Sequence, residues 1–269
     1  MVGETADIEL ARRLEQSISL SPLPPARGAD VVECGPFRAW FMSDTAAHQL
    51  NYAMPVAAAD AQALLAAIDR LRALFVARGR MLRVEFVEEL WPALAPALRG
   101  AGLHLDTREP LMACAKAEFS PVVAPAVAVR ALVSEDHDDQ FAEFVRIRDA
   151  HPVAASRAVL AKAMAGVRDS LRGGLQICAL ATIDGRAAAV GRCILQPDGL
   201  GEITSIVTAP EARRRGAAAT LVSFLLRRLF ETDRSIAWLN AANDGARALY
   251  AGLGFCGIAH VVSYEDDRG

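Results

Sequence analysis

Between Ile206 and Leu229 the hydrophobic period of this chain changes from that of a strand to that of a helix, across a turn that carries charge but little bulk. Ile206 and Val207 are strand formers and Pro210 stops the strand. Behind it Leu221, Val222, Leu225, Leu226 and Leu229 recur at helical spacing. The turn reads Arg213-Arg214-Arg215-Gly216-Ala217-Ala218-Ala219. A helix N-terminus has unpaired N–H groups and a partial positive charge. With only small side chains behind the arginines, a diphosphate can lie against those N–H groups while the guanidiniums finish the neutralisation. The expectation is a phosphate cradle.

A second block follows about thirty residues later, as expected for motifs of one domain. Trp238-Leu239-Asn240 ends an apolar strand, and Asn243-Asp244-Gly245-Ala246-Arg247-Ala248-Leu249-Tyr250-Ala251-Gly252-Leu253-Gly254-Phe255 follows. Asn243 is a natural N-cap, Ala246, Leu249 and Tyr250 share a face, and Gly254 is a natural helix stop. Pro210-x-x-Arg213-x-x-Gly216-x-Ala218 resembles the Arg/Gln-x-x-Gly-x-Gly/Ala loop of the GNAT acetyltransferase superfamily. It differs in having Arg214 where glycine is frequent and Ala218 where glycine alternates with alanine. The second block is similar to the Asn-x-x-Ala-x-x-Leu-Tyr-x-x-x-Gly-Phe motif that closes the same domain. Gly252–Gly257 also satisfies G-x-G-x-x-G, but a dinucleotide site needs a strand before that pattern and a helix after it. Here a helix precedes it and Ile258, Val261 and Val262 read as strand, so a dinucleotide fold is rejected.

The resemblance implies an α/β (α+β) mixed-sheet domain, and the second half accommodates one. Val127–Leu132 reads as a first strand, and Asp138–Asp149 and Ser156–Leu171 as helices. Leu175–Ile183 and Ala187–Leu195 read as a hairpin around Asp184-Gly185, and Gly201–Val207 as the strand entering the cradle. The first half becomes intelligible if the chain repeats itself. Laying Ala61 over Arg213 brings the stripe Leu64, Leu65, Ile68, Leu71, Leu74 and Phe75 over the cradle helix. The same shift sets Leu82–Phe86 over Arg234–Trp238 and Trp91–Leu103 over Asn243–Phe255. Ala61 and Leu64 then stand at Arg213 and Gly216, Leu98 at Tyr250 and Leu50 at Glu202. The expected organisation is two GNAT-like domains in tandem. Residues 1–122 form a degenerate one without a cradle, and residues 126–269 a complete one. Ser120–Pro125, with two prolines, is the expected linker.

The 269 residues, 53% of them hydrophobic, allow a large core, yet no run approaches the ~18 uncharged apolar residues of a membrane helix. The N-terminus lacks a signal-peptide core. Five cysteines without Cys-x-x-Cys spacing argue against a disulfide framework and a zinc site, so no metal is expected. Cys178 and Cys193 lie in apolar runs and read as core residues. A net charge of −3 gives no global field for nucleic acid, and the arginine run suits a compact polyanion. A cytoplasmic protein with no nucleic-acid or membrane partner is expected; oligomeric state is open.

The resemblance implies direct acyl transfer from acetyl-CoA to an amine. It assigns the diphosphate to Arg213, Arg214, Arg215, Gly216, Ala217, Ala218 and Ala219, and the pantetheine arm to the backbone of Ile206, Val207 and Thr208. Asn243 adds a side-chain contact to the cofactor, and Tyr250 is the acid that protonates the departing thiolate. Glu202 resembles a glutamate base of the histone-acetylating branch, with an exposed strand carboxylate as the plain alternative; His48 and His151 are reserves. A bulky β-branched residue at 216 is expected to block the diphosphate and leave the fold intact. The acceptor is a small-molecule or peptide amine. The alternatives are mycothiol-synthase-like acetylation of an amino-sugar conjugate and a non-catalytic acyl-CoA sensor or scaffold.

Overall fold

The computed structural model describes residues 2–21, 28–42, 48–149 and 157–266. The chain forms two compact units, Met1–Leu111 with Gly257–Gly269, and Met112–Cys256.

The first unit runs α1 (Val2–Ser19), β1 (Ala29–Cys34), β2 (Phe37–Met42), β3 (Tyr52–Pro55), α2 (Ala61–Ala77), β4 (Arg83–Val87), α3 (Leu94–Gly100) and the start of β5 (His104–Ala115). The second contains the end of β5, β6 (Val127–Ala131), α4 (Asp138–Arg148), α5 (Arg157–Arg172), β7 (Gln176–Ile183) and β8 (Arg186–Leu195). It continues with β9 (Leu200–Thr208), a 3-10 turn at Pro210–Ala212, α6 (Ala217–Phe230), β10 (Ile236–Asn240) and α7 (Asp244–Ala251). The closing strand β11 (Cys256–Glu265) returns to the first unit, beside β4.

Strand order is β1-β2-β3-β4-β11-β5 in the first unit and β5-β10-β9-β8-β7-β6 in the second. The offset that lays Ala61 over Arg213 also carries α1 onto α5, β4 onto β10, α3 onto α7 and β5 onto β11. From α1 and α5 onward the two units therefore share one element order, with β6 and α4 additional in the second, and each has exchanged its last strand. β11 sits beside β4, and the end of β5 beside β10.

In the second unit the sheet is covered on both faces. On one, Leu221, Val222, Leu225, Leu226 and Leu229 of α6, all fully buried, pack with Ile203, Ala237 and Leu239. On the other, Phe141, Phe144 and Val167 of α4 and α5 pack on Cys178, Leu180 and Val190. Each such side chain contributes about 1.5–3 kcal/mol of burial, which is why the helical stripe is the strongest structural signal in the sequence. Cys178 and Cys193 are core residues, both fully buried. The β7–β8 turn has Asp184 and Gly185 at positive φ (52° and 74°), the geometry of a tight hairpin. At the decoy glycines α7 precedes and β11 follows, so no dinucleotide motif exists there.

Ser120–Pro125 lies in the second unit as a strap along α6. The Val122 N–H donates to Ser223 Oγ at 2.9 Å, the Ala124 N–H to Thr220 Oγ1 at 2.9 Å, and the Ser120 N–H to the Leu253 carbonyl at 3.0 Å. Thr220→Val keeps the shape and removes one of these acceptors. It is expected to cost about 1 kcal/mol, read as a lower denaturant midpoint at unchanged slope. An unchanged midpoint would mean that water replaces the hydroxyl at no cost. Among the described residues no helix is long and apolar enough to cross a membrane.

Candidate active site

The turn between β9 and α6 leaves the helix start uncapped. Arg214 (φ 58°) and Gly216 (φ 80°) both take left-handed backbone, which turns the chain sharply before the helix. Gly216 is the N-cap of α6; it has no side chain to cap with, and the first turn holds no acidic residue. The first N–H returned into the helix is that of Thr220, to the Gly216 carbonyl at 3.0 Å. The N–H groups of Ala217, Ala218 and Ala219 are the orphan donors of a helix start, behind methyl groups only. Arg213, Arg214 and Arg215 are exposed around them. Arg215 pairs with Asp184 of the β7–β8 turn at 3.2 Å, whereas Arg213 and Arg214 make no ion pair among the described residues. These features fit a diphosphate.

A wedge opens beside the turn. β9 and β10 pair in parallel from Leu200↔Ile236 to Glu202↔Trp238, and β9 then runs on to Thr208. Its other edge stays on β8, with Val207 opposite Val190 and Thr208 opposite Ala189. Between Val190 and Arg192 the register slips, and Ser205 stands at φ 54°. The result is a bulge that re-aims Ile206, whose side chain lies where a Cβ on Gly191 would be. Ile206, Val207 and Thr208 lie on the part of β9 that runs on beyond its pairing with β10.

Tyr250 lies near the end of α7, 9% exposed, its ring 5.8 Å from that of Phe255. Among the described residues its hydroxyl has no hydrogen-bond partner. Burial pushes the phenol up to about 12. Asn243 caps α7, accepting the Ala246 N–H at 2.9 Å through Oδ1. Only its amide NH₂ is left to meet a ligand.

Glu202 faces away from α6. Ala237 and Leu239 point into the α6 cluster, so Trp238 points to the opposite face, and Glu202 shares that face as its register partner. The Trp238 indole donates to Gln196 Oε1 at 2.7 Å, and Gln196 Nε2 donates to Glu202 Oε2 at 3.4 Å. This chain of contacts, the bulge at Ser205 and the Gly191 gap were not read from sequence. A lone glycine inside the apolar run Ala187–Ile194 was the available signal for the bulge. His151 lies outside the described residues, as does the side chain of His48.

Burial pushes the Cys114 and Cys178 thiols up to about 12, and that of Cys193 up as well. None of these three is a thiolate nucleophile near neutral pH.

Residues 134–255 match the sequence model of the acetyltransferase (GNAT) family. That segment is a GNAT acetyltransferase domain. No curated protein matches the chain at the level of sequence. Among solved structures, a GCN5-related N-acetyltransferase from Kribbella flavida is 24% identical with a TM-score of 0.76, over 96% of each chain. One from Sphaerobacter thermophilus is 15% identical with a TM-score of 0.66, over 87% of this chain and 78% of that one. A tandem GNAT protein from the clavulanic acid biosynthesis pathway is 15% identical with a TM-score of 0.63, over 87% of this chain and 79% of that one. At these identities the likeness is one of fold, and it extends the GNAT architecture beyond residues 134–255. GNAT domains use acetyl-CoA as cosubstrate, so acyl-CoA-dependent acyl transfer is the chemistry this domain is built around.

Proposed function

We propose that this protein is an N-acetyltransferase that moves an acetyl group directly from acetyl-CoA to an amine, using the GNAT domain. The observation that carries this reading is the uncapped start of α6. Three N–H groups at an uncapped helix start, a left-handed glycine and two arginines without an ion pair among the described residues stand where β9 runs on past its pairing with β10.

In this reading Arg213, Arg214, Arg215, Gly216, Ala217, Ala218 and Ala219 hold the diphosphate, and the Arg215–Asp184 contact opens or stays as a brace. The backbone of Ile206, Val207 and Thr208 orients the pantetheine amides as an added strand would. The Asn243 NH₂ donates to the cofactor while its carbonyl keeps the cap. Acetyl-CoA supplies an activated thioester. Tyr250, kept protonated by its burial, donates a hydrogen bond and then a proton to the leaving sulfur. Glu202 accepts the amine proton through water, with Gln196 and Trp238 holding its carboxylate in place.

We read residues 1–122 as a degenerate GNAT-like domain and 126–269 as the working one. Support comes from α2, the counterpart of α6. Asp60 caps it through the Ala63 N–H at 2.8 Å, and Leu64 stands at the position of Gly216. A carboxylate already occupies that helix start, so a diphosphate has no place there.

Release of free CoA thiol from acetyl-CoA tests the reading, with spermidine, a lysine peptide and an aminoglycoside as acceptors. Amine-dependent release is expected for at least one. Acetyl-CoA binding with no acceleration by any of them would overturn transfer to these acceptors and leave a sensor. Glu202→Gln preserves an acceptor for Gln196 and is expected to lower kcat about 10²-fold at unchanged acetyl-CoA affinity. An unchanged kcat would confine Glu202 to the Gln196–Trp238 network.

A further inference from the structure

The first unit holds a cavity of about 620 Å³. β3 and β4 pair in parallel at Ala53↔Val84 and then part. Pro55–Ala59 follows one strand and Leu90–Leu94 the other, and α1 lies across the opening with Arg12, Glu15 and Ser19. This is the counterpart, within the first unit, of the wedge between β9 and β10. Its walls are largely apolar, with Phe37, Val56, Leu64, Trp91 and Leu94 among them. The size lies within the range of small-molecule sites.

The polar groups decide what it accepts. Glu15 is 6% exposed, and both its oxygens are committed: Oε1 accepts the Val87 N–H at 2.8 Å and Oε2 the Trp91 indole N–H at 2.7 Å. It therefore serves as part of the wall, with the Arg12 guanidinium acting on it from one turn away on α1. Arg12 has Glu9 at 3.8 Å, an exposed and weak pair. Arg38 gives Nε to Glu33 at 2.6 Å and Nη1 to Ser19, leaving Nη2 for another acceptor. Two guanidiniums thus stand at the cavity, each beside a carboxylate already and each with N–H groups left for a further acceptor. A phosphate cradle is missing, because Asp60 caps α2 and Leu64 fills the glycine position.

We propose that this cavity binds a small apolar carboxylate, with its hydrocarbon against Trp91, Phe37 and Leu94 and its carboxylate at Arg12 and Arg38. The site goes beyond the acetyl-transfer reading and does not depend on it. Such a ligand would contact α1, Pro55–Ala59 and the loop before α3 together. That gives the degenerate half a binding role of its own.

Decanoate is the probe, titrated into the full chain by calorimetry, with 1-decanol as the uncharged comparison and CoA as competitor. Saturable one-to-one binding of decanoate is expected, at least fivefold tighter than decanol and unaffected by CoA. Ala59→Phe, which fills the cavity, is expected to weaken it more than tenfold. Arg12→Glu, at an exposed position on α1, is expected to weaken decanoate about fivefold and decanol not at all. Absence of saturable binding by the wild type, equal affinity for decanoate and decanol, displacement by CoA, or full affinity in Arg12→Glu each overturns the proposal. Should Ala59→Phe fail to fold, the Arg12→Glu comparison decides alone.

Discussion

Tyr250→Phe is expected to bind acetyl-CoA as tightly as the wild type and to turn over about 10²-fold more slowly. The ring is buried against Phe255 and Leu253, so removing one oxygen leaves the packing in place. Its hydroxyl has no protein partner among the described residues, so nothing in the fold is left unsatisfied by its loss. Only the proton and its hydrogen bond disappear, and general acid catalysis is worth about 10²–10⁴ in rate. The phenol, at about 12, lies well above a free thiol near 8.5, so it stays protonated, and passing its proton to the sulfur is uphill; the hydrogen bond it donates to the developing thiolate carries most of the expected effect. The same shift fixes a sign. The raised pKa contributes stability that is complete below about pH 10 and is lost as pH rises through about 12. No alkaline limb from Tyr250 is therefore expected below about pH 11. Single-turnover and steady-state rates measured beside calorimetric CoA affinity separate the outcomes. A wild-type kcat in the variant would mean that the thiolate leaves unassisted.

Gly216→Val is expected to abolish measurable CoA binding and also to destabilise the protein. At φ 80° a β-branched residue is strained by roughly 1–2 kcal/mol. A Cβ there would stand 2.7 Å from the Ala124 Cβ of the strap, adding an overpacking cost of about 1–3 kcal/mol. A fall in Tm of several degrees should accompany the loss of affinity. The sequence suggested a purely ligand-directed effect at this position; the strap, placed against the cradle, makes the fold part of the effect. Arg213→Ala supplies the control, being exposed and unpaired among the described residues. It is expected to leave Tm unchanged and to weaken CoA about tenfold, the worth of one charge-assisted hydrogen bond. If CoA bound Arg213→Ala and Gly216→Val with wild-type affinity, the diphosphate would have to be held elsewhere.

The turn before α6 was more legible than the pairing of the strands. Three arginines, one glycine and three alanines before a leucine stripe encode a helix start that cannot cap itself, because each of those properties is local. Asn243 as a cap and Gly254 as a stop were readable for the same reason. Gly254 stands at φ 99°, where a Cβ would run into the Glu118 carbonyl. Glu202 was harder. Its position on β9 follows from alternation, but its tie to Gln196 and Trp238 depends on which strand lies beside β9.

What the sequence by itself determined is what short-range periodicity and backbone chemistry decide: the strand-to-helix turn, the apolar face of α6, the hairpin at Asp184-Gly185, and the offset that relates the two halves. Tertiary structure alone decided the exchange of β5 and β11, because any apolar strand of the right length satisfies a sheet edge and the choice depends on partners far along the chain. It also made Ser120–Pro125 a strap rather than a free linker. Proline marks where a helix cannot run, but not that neighbouring N–H groups will find Thr220 and Ser223. And it left a cavity between β3 and β4, since the divergence of two strands is set by what packs between and above them rather than by the residues of either strand.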